Sequence, residues 1–183
     1  NILILGQGPS VKDNTERKKL RKFIENYKPI VISININKFV PKKYIDFYAV
    51  FNDTRILVDH KKYSKLDKPL IVPSYKLKKI GNKTRFNKIL DYGAKIDNKN
   101  FIAKNKYCIL PNNQSFGYAL AISAAGRVKK TFIFGFDGFS KGHHSNNEMN
   151  LILKNFQKNY KKIPIFSISK TNYLVKKLNI QWK

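Results

Sequence analysis

Apolar positions along the chain follow two rhythms. The first is a set of short runs that are apolar or β-branched on both faces: Ile2–Leu5, Ile30–Ile34, Phe47–Phe51, Pro69–Val72, Thr131–Phe134 and Pro164–Ile168. Strands of a parallel sheet covered on both sides read this way. The second has helical spacing. Leu20, Phe23, Ile24 and Tyr27 predict a helix over 14–27, with Asp13 as N-cap, Glu16 completing a capping box, and Pro29 as its stop. Asp53 is placed to cap a short helix containing Ile56, Leu57 and Val58. Phe116–Ala125 predicts a small-faced helix with Ser115 or Asn113 as N-cap and Gly126 as the glycine beyond its end. Met149, Ile152, Leu153, Phe156 and Tyr160 predict a helix over 147–160. Thr171–Leu178 reads as a short helix and Ile180–Trp182 as a tail. Residues 74–106 are the least patterned: Tyr75–Ile80 suggests a helical turn and Arg85–Leu90 an edge strand. Gly81–Asn82, Gly93 and Asn98–Asn100 are turn signals, so the segment is expected to form loops or a lid. Strands and helices alternate, with no internal repeat and no heptads. The expected fold is a single-domain α/β protein over 1–183 with a doubly wound, mostly parallel sheet and right-handed crossovers.

In such a sheet, ligands bind beyond the carboxyl ends of the strands, and the polar residues at those positions are the candidates. Strand Ile2–Leu5 runs directly into Gly6-Gln7-Gly8-Pro9-Ser10. Gly6 and Gly8 lack Cβ, so this turn is expected to present bare N–H groups to an anion, with the Ser10 hydroxyl beside the following helix. The third glycine of the dinucleotide fingerprint is missing, with Val11 and Lys12 in that region, and no Gly-Lys-Ser/Thr follows. Asn35 and Asn37 lie beyond the second strand, where Asn37 could instead begin a turn. Asn52 lies beyond the third, and Ser115 and Gly117 open the small-faced helix. Gly135-Phe136-Asp137-Gly138 follows the strand ending at Phe134. There Asp137 is placed for chemistry, for a ribose hydroxyl, or to satisfy loop N–H groups. His143 and His144 sit in the next polar stretch, where one of them could serve as a general base near neutral pH. Asp137, His143, His144 and Glu148 fit no zinc spacing, so no metal is expected. No Gly-x-Ser-x-Gly marks a nucleophilic serine.

Charge modifies this picture less than its size suggests. The 183 residues carry a formal net charge of +26, but only five of the 37 basic residues are Arg, and the lysines are spread along the whole chain. Base and phosphate recognition favours the bidentate Arg fork. A specific nucleic-acid target is therefore not expected, whereas nucleotides, polyanionic glycans or the face of an anionic membrane are attracted. No apolar stretch approaches the ~20 residues of a membrane span, and no signal peptide is visible. The lone Cys108 excludes an internal disulfide and a cysteine zinc site. A cytoplasmic location is expected, extending to peripheral contact with the inner membrane face.

Three segments in this order carry a resemblance: Ile2–Ser10, then Ile32–Asn35, then Ser115–Gly126 followed by Phe132–Gly138. They resemble the Rossmann-like C-terminal domain of aldolase-like proteins encoded with bacterial surface-polysaccharide genes. Phe134–Phe139, Glu148 and the Ser167-x-Ser169-x-Thr171-x-x-Tyr173 ending belong to that pattern. More distantly the chain is similar to the small bacterial CMP-sialic-acid-dependent sialyltransferases and to the pterin pyrophosphokinase-like group that shares the Gly-x-Gly-x-Ser start. The sialyltransferase resemblance implies a glycosyltransferase of lipopolysaccharide or capsule synthesis. It would use no separate cofactor, a CMP-type nucleotide-sugar as donor and a glycan as acceptor. The nucleotide would be held by Gly6, Gln7, Gly8, Ser10, Asn35 (or Asn37), Asn52, Ser115 and Gly117. Gly135 and Asp137 would meet its ribose or the donor sugar, with His143 or His144 as base. The histidines fall nearer the strand than in that family, and Phe139 stands where a tyrosine is expected. The aldolase-linked resemblance implies instead a non-catalytic accessory domain behind an upstream aldolase-like domain, in keeping with a chain that opens without Met.

Overall fold

The structure, a computed structural model, describes residues 1–78 and 85–178. In chain order the elements are β1 (Ile2–Leu5), α1 (Asn14–Tyr27), β2 (Ile30–Ile34), β3 (Phe47–Ala49), α2 (Asp53–Tyr63), β4 (Leu70–Val72), α3 (Ser74–Leu77) and β5 (Ile89–Asp91). They continue as β6 (Gly93–Ile96), β7 (Ile102–Ala103), β8 (Tyr107–Leu110), α4 (Ser115–Ala125), β9 (Thr131–Phe134), α5 (His144–Asn159), β10 (Ile165–Ser167) and β11 (Lys176–Lys177). Eight strands form one sheet in the order β11-β10-β9-β1-β2-β3-β4-β5, and every pairing in it is parallel.

β1 lies at the centre and shows why the fold is doubly wound. Side chains alternate across a strand, and all four of its residues are buried. Ile2 and Ile4 pack in the core formed with α4 and α5, through Phe116, Leu120, Ile152 and Phe156. Leu3 and Leu5 pack on the other face with Leu20, Phe23 and Ile24 of α1 and Ile56 of α2. Each such burial is worth about 1.5–3 kcal/mol, and only a strand with no polar side chain gains it on both faces. The result is a Rossmann-like α/β domain with helices on both sides of a parallel sheet. Among the described residues, no helix is long and apolar enough to cross a membrane.

The predicted helix over 14–27 forms as Asn14–Tyr27, and Asp13 Oδ1 accepts from Glu16 N at 2.9 Å. The Glu16 carboxylate pairs with Lys19 at 2.6 Å. Several expectations are corrected. Asn52, not Asp53, caps α2, because its Oδ1 accepts from Arg55 N. Gln114 occupies the N-cap position of α4, since Ser115 is already helical. Beyond α4 the left-handed residue is Arg127 (φ 49°), while Gly126 keeps φ −75°. α5 begins at His144, three residues before the predicted start, with His143 as its cap.

The largest miss is residues 92–110. Gly93 lies in a strand, and β6, β8 and β7 form a second, three-stranded sheet in place of loops or a lid. Residues 171–178 hold bends and β11 rather than a helix. The β2–β3 connection carries a 3-10 turn, Lys42–Tyr44. The Gly81–Asn82 turn signal and the Ile180–Trp182 tail lie outside the described residues.

Cys108 of β8 is fully buried, and burial pushes its thiol up to about 12. The thiolate is the reactive species. The native protein is therefore expected to leave Ellman's reagent unreacted at pH 8 and to release one equivalent once denatured.

Candidate functional site

The chain leaves β1 toward β2 on one side and later returns to β9 on the other. The loops beyond β1 and β9 therefore diverge, and a crevice opens between them, as at the switch point of any doubly wound sheet. Here it is a cleft of about 680 Å³. Of the residues predicted from sequence, Gln7, Gly8, Asn35, Asn52, Ser115, Gly135 and Asp137 line it, whereas Gly6, Ser10, Gly117, His143 and His144 do not.

The glycine loop works differently from expectation. Its amides are already engaged: Gly6 N donates to Phe134 O at 2.7 Å and Gly8 N to Gly135 O at 2.8 Å. Ser10 donates to Asp137 through N (3.2 Å to Oδ1) and through Oγ (2.9 Å to Oδ2). The loop is a clasp between β1 and β9, not a cradle of bare N–H groups. Glycine is required because the two segments cross closely. A Cβ on Gly6 would lie 2.4 Å from Gly135 O, and one on Gly8 2.1 Å from Asp137 Oδ2. Of the readings open for Asp137, the structure shows the satisfaction of loop N–H groups. Its charge also makes this corner of the cleft unfavourable for an anion.

Donors for an anion come from the opposite wall. The first turns of α2 and α4 both reach the cleft, through Asn52, Thr54 and Arg55 and through Gln114, Ser115 and Phe116. Helix N-termini carry partial positive charge and unsatisfied amides. Ser115 Oγ accepts from Phe51 N at 3.1 Å and Asn52 N at 3.4 Å, fixing the end of β3 against α4. α4 has no side-chain cap; the Gln114 side chain reaches to α5, where its Nε2 donates to Glu148 Oε2 at 2.6 Å. Arg55 supplies a full charge beside these amides.

The remaining wall is apolar. Phe116 and Phe136 sit with ring centroids 4.4 Å apart, and Ile34, Phe139, Met149 and Tyr173 complete it. Burial pushes the Tyr173 phenol up to about 12, so it stays neutral at physiological pH. Asn35 lines the cleft in a left-handed conformation (φ 56°), and its buried Oδ1 has no hydrogen-bond partner among the described residues. Asn37 turns away: its Nδ2 donates to Gly6 O, while Oδ1 accepts from Phe39 N and Val40 N. Gly117 packs on α5, where a Cβ would meet Ile152 Cδ1 at 3.2 Å.

The histidines stand at the rim. His143 stacks on Phe139 (4.8 Å) and on His144 (4.6 Å). His143 Nδ1 accepts from Ser145 N at 3.2 Å. A backbone N–H can only donate, so the neutral imidazole carries its proton on Nε2 and has no lone pair left for a substrate. His144 Nε2 lies 3.4 Å from Ser145 Oγ. Among the described residues, no three His, Cys, Asp or Glu side chains gather where a metal could sit.

Thr54, Arg55 and Gln114 were given no site role from the sequence, and Phe136, Phe139 and Tyr173 entered only as parts of a motif. Most lie within a few residues of a strand tip, the only signal that could have found them. No family model, curated protein or solved structure matches the chain. The fold and cleft define a doubly wound α/β domain with a polar-and-aromatic crevice at its switch point.

Proposed function

We propose that this cleft binds a nucleotide or nucleotide-sugar, and that the chain is a glycosyltransferase-like protein of bacterial surface-glycan synthesis. The observation that carries the reading is the pairing of walls in one crevice. Rings of Phe116, Phe136 and Phe139 line the same crevice of about 680 Å³ as the α2 and α4 N-termini and Arg55, a size suited to such a ligand. The rings offer a surface for a base or sugar, and the helix starts and Arg55 receive phosphate. Phosphate is directed away from the glycine loop by Asp137. The CMP-type donor follows from the sialyltransferase resemblance alone. In transfer, the acceptor hydroxyl loses its proton to a base as its oxygen bonds the anomeric carbon. The bond from that carbon to the phosphate oxygen breaks, and the nucleotide leaves with the electron pair. His144 takes the base role, since the Nδ1 lone pair of His143 is engaged.

The wild-type protein is expected to gain several degrees of thermal stability with at least one of the cytidine, uridine, adenine or guanine nucleotides at millimolar concentration. Arg55→Ala should weaken that ligand by about tenfold or more, the worth of a charged hydrogen bond. No shift with any nucleotide removes the proposal. Neither histidine lines the cleft, and this favours a second reading, a non-catalytic accessory domain of an aldolase-like protein. If His144→Ala retains nucleotide binding and the product still forms at the wild-type rate, the second reading holds.

A further inference from the structure

The basic residues are spread evenly along the sequence but not around the fold. In a parallel sheet, every segment leading from a helix end into the next strand lies at the amino-terminal edge. Among the described residues, six such segments, taken together with the last residues of α2 and α5 (28–29, 42–46, 61–69, 85–88, 127–130 and 158–164), contain 15 Lys or Arg and two acidic residues, Asp46 and Asp67. The connections leaving the strands at the opposite, cleft-bearing edge (6–13, 35–41, 50–55, 73–78, 111–114, 135–143 and 168–175) contain seven basic and three acidic residues.

The amino-end lysines also come together in space. Lys28, Lys43, Lys68 and Lys88 surround one open depression of about 800 Å³ at the starts of β2, β3 and β4. Asp46 and Asp67 share its lining, but Asp46 Oδ2 is engaged by Val31 N at 2.8 Å. Of the 15 basic residues, only Lys62 has a carboxylate partner, Asp59, among the described residues. Two large apolar side chains, Tyr27 and Ile30, each 49 % exposed, stand at the same edge beside Lys28.

We infer that this face docks on the surface of an anionic phospholipid bilayer. Thirteen of the 15 cations are Lys, point charges suited to diffuse attraction by a layer of phosphate headgroups. Nucleic-acid readout would call on the bidentate Arg fork. Tyr27 and Ile30 supply the apolar contact that an interfacial surface adds to charge. The depression ringed by four lysines accepts a single phosphate headgroup. The cleft lies at the other edge of the sheet, so docking turns it toward the solution, and binding of a nucleotide there is independent of the bilayer.

Co-sedimentation of the whole chain with vesicles tests this. Binding is expected to vesicles of 30 % phosphatidylserine in phosphatidylcholine, not to pure phosphatidylcholine, and to weaken as salt is raised. Replacing Lys129, Lys130, Lys161 and Lys162 together by Gln should reduce it by at least about tenfold, given the contribution of each lysine near a charged surface. The same four-charge removal at Lys12, Lys38, Lys141 and Lys170 on the cleft side should reduce it much less. Equal losses in the two variants would assign the attraction to net charge and overturn the docking face. So would indifference to phosphatidylserine, or tighter binding to random duplex DNA than to the anionic vesicles at 150 mM salt. Arg55→Ala should bind vesicles as wild type does, so failure of the nucleotide proposal leaves this test standing.

Discussion

Gly135→Ala is expected to destabilise the protein by about 2–5 kcal/mol, combining left-handed strain of about 1–2 with overpacking of about 1–3. Gly135 has φ +78°, and an added Cβ would fall 2.3 Å from Val11 Cγ2 and 3.1 Å from the Gly6 carbonyl carbon. Val11 is fully buried in the core beneath α1, so neither neighbour can move away cheaply. For a domain of this size the loss corresponds to a fall in Tm of roughly 10 °C. Gly142 provides the control. Its φ is +84°, yet a Cβ there would meet nothing within 4 Å. Gly142→Ala therefore carries backbone strain alone, about 1–2 kcal/mol. Urea unfolding of the two variants should separate them clearly. Equal losses would mean that the crossing of the β1 and β9 loops is not tightly packed, and the clasp described above would be wrong. Gly8→Ala meets both Asp137 Oδ2 at 2.1 Å and the Gly135 carbonyl oxygen at 2.8 Å. It should fall near Gly135→Ala, because rotating the Asp137 carboxylate away relieves only one of those contacts.

These glycines also show how far the sequence could be read. That a tight turn follows β1 is legible from Gly6 and Gly8, and that a polar loop follows β9 is legible from Gly135–Gly138. The direct contact between them is not, since it depends on β1 and β9 becoming neighbours, which brings Ser10 to Asp137, 127 residues further along the chain. A glycine loop beside a strand tip looks the same whether its amides face a ligand or the carbonyls of another strand. The six main strands before the cleft and behind it were legible because buried parallel strands are apolar on both faces. β6, β7 and β8 were not, because they are two to four residues long and, apart from Cys108 and Leu110, none of their residues is buried. The last predicted helix failed for a related reason. Tyr173 and Val175 have helical company in sequence, but Thr171 Oγ1 donates to Phe136 O at 2.6 Å and Asn172 N to Asp137 O at 3.0 Å. Those bonds tie the segment to the loop beyond β9 and leave its backbone extended enough to add β11 to the sheet. In the cleft, strand-tip position was enough to find Asn35 and Asn52, and the start of a predicted helix was enough to find Ser115. Whether such a residue binds a ligand or fastens two elements depends on partners that sequence order does not reveal.

Lys76→Met is the second large effect, expected at about 3 kcal/mol, the low end for breaking a buried pair because Asp53 keeps partial contact with water. Nothing in the sequence distinguishes Lys76 from the other lysines. The fold leaves it 4 % exposed. Its ammonium donates to Phe51 O at 2.7 Å, Asp53 Oδ2 at 2.9 Å and Asn113 Oδ1 at 3.1 Å, and lies 3.8 Å from the centre of the Phe51 ring. Those partners are the end of β3, the first residue of α2 and the loop before α4, which together make the donor wall of the cleft. Methionine fills the volume but takes the ammonium donor from a carbonyl, an amide oxygen and a carboxylate, of which the carboxylate keeps Asn113 Nδ2 at 3.2 Å. Asp53→Asn neutralises the charged one of these three acceptors while Lys76 keeps the Phe51 carbonyl and the Asn113 amide oxygen, so on its own it should cost clearly less. In the double variant the loss should be smaller than the sum of the two, the signature of residues acting on one network. Strict additivity would mean that Lys76 does not organise this wall. Because Asn52, Ser115 and Arg55 stand on the elements it joins, Lys76→Met should also weaken nucleotide binding measured by calorimetry at temperatures well below its own unfolding.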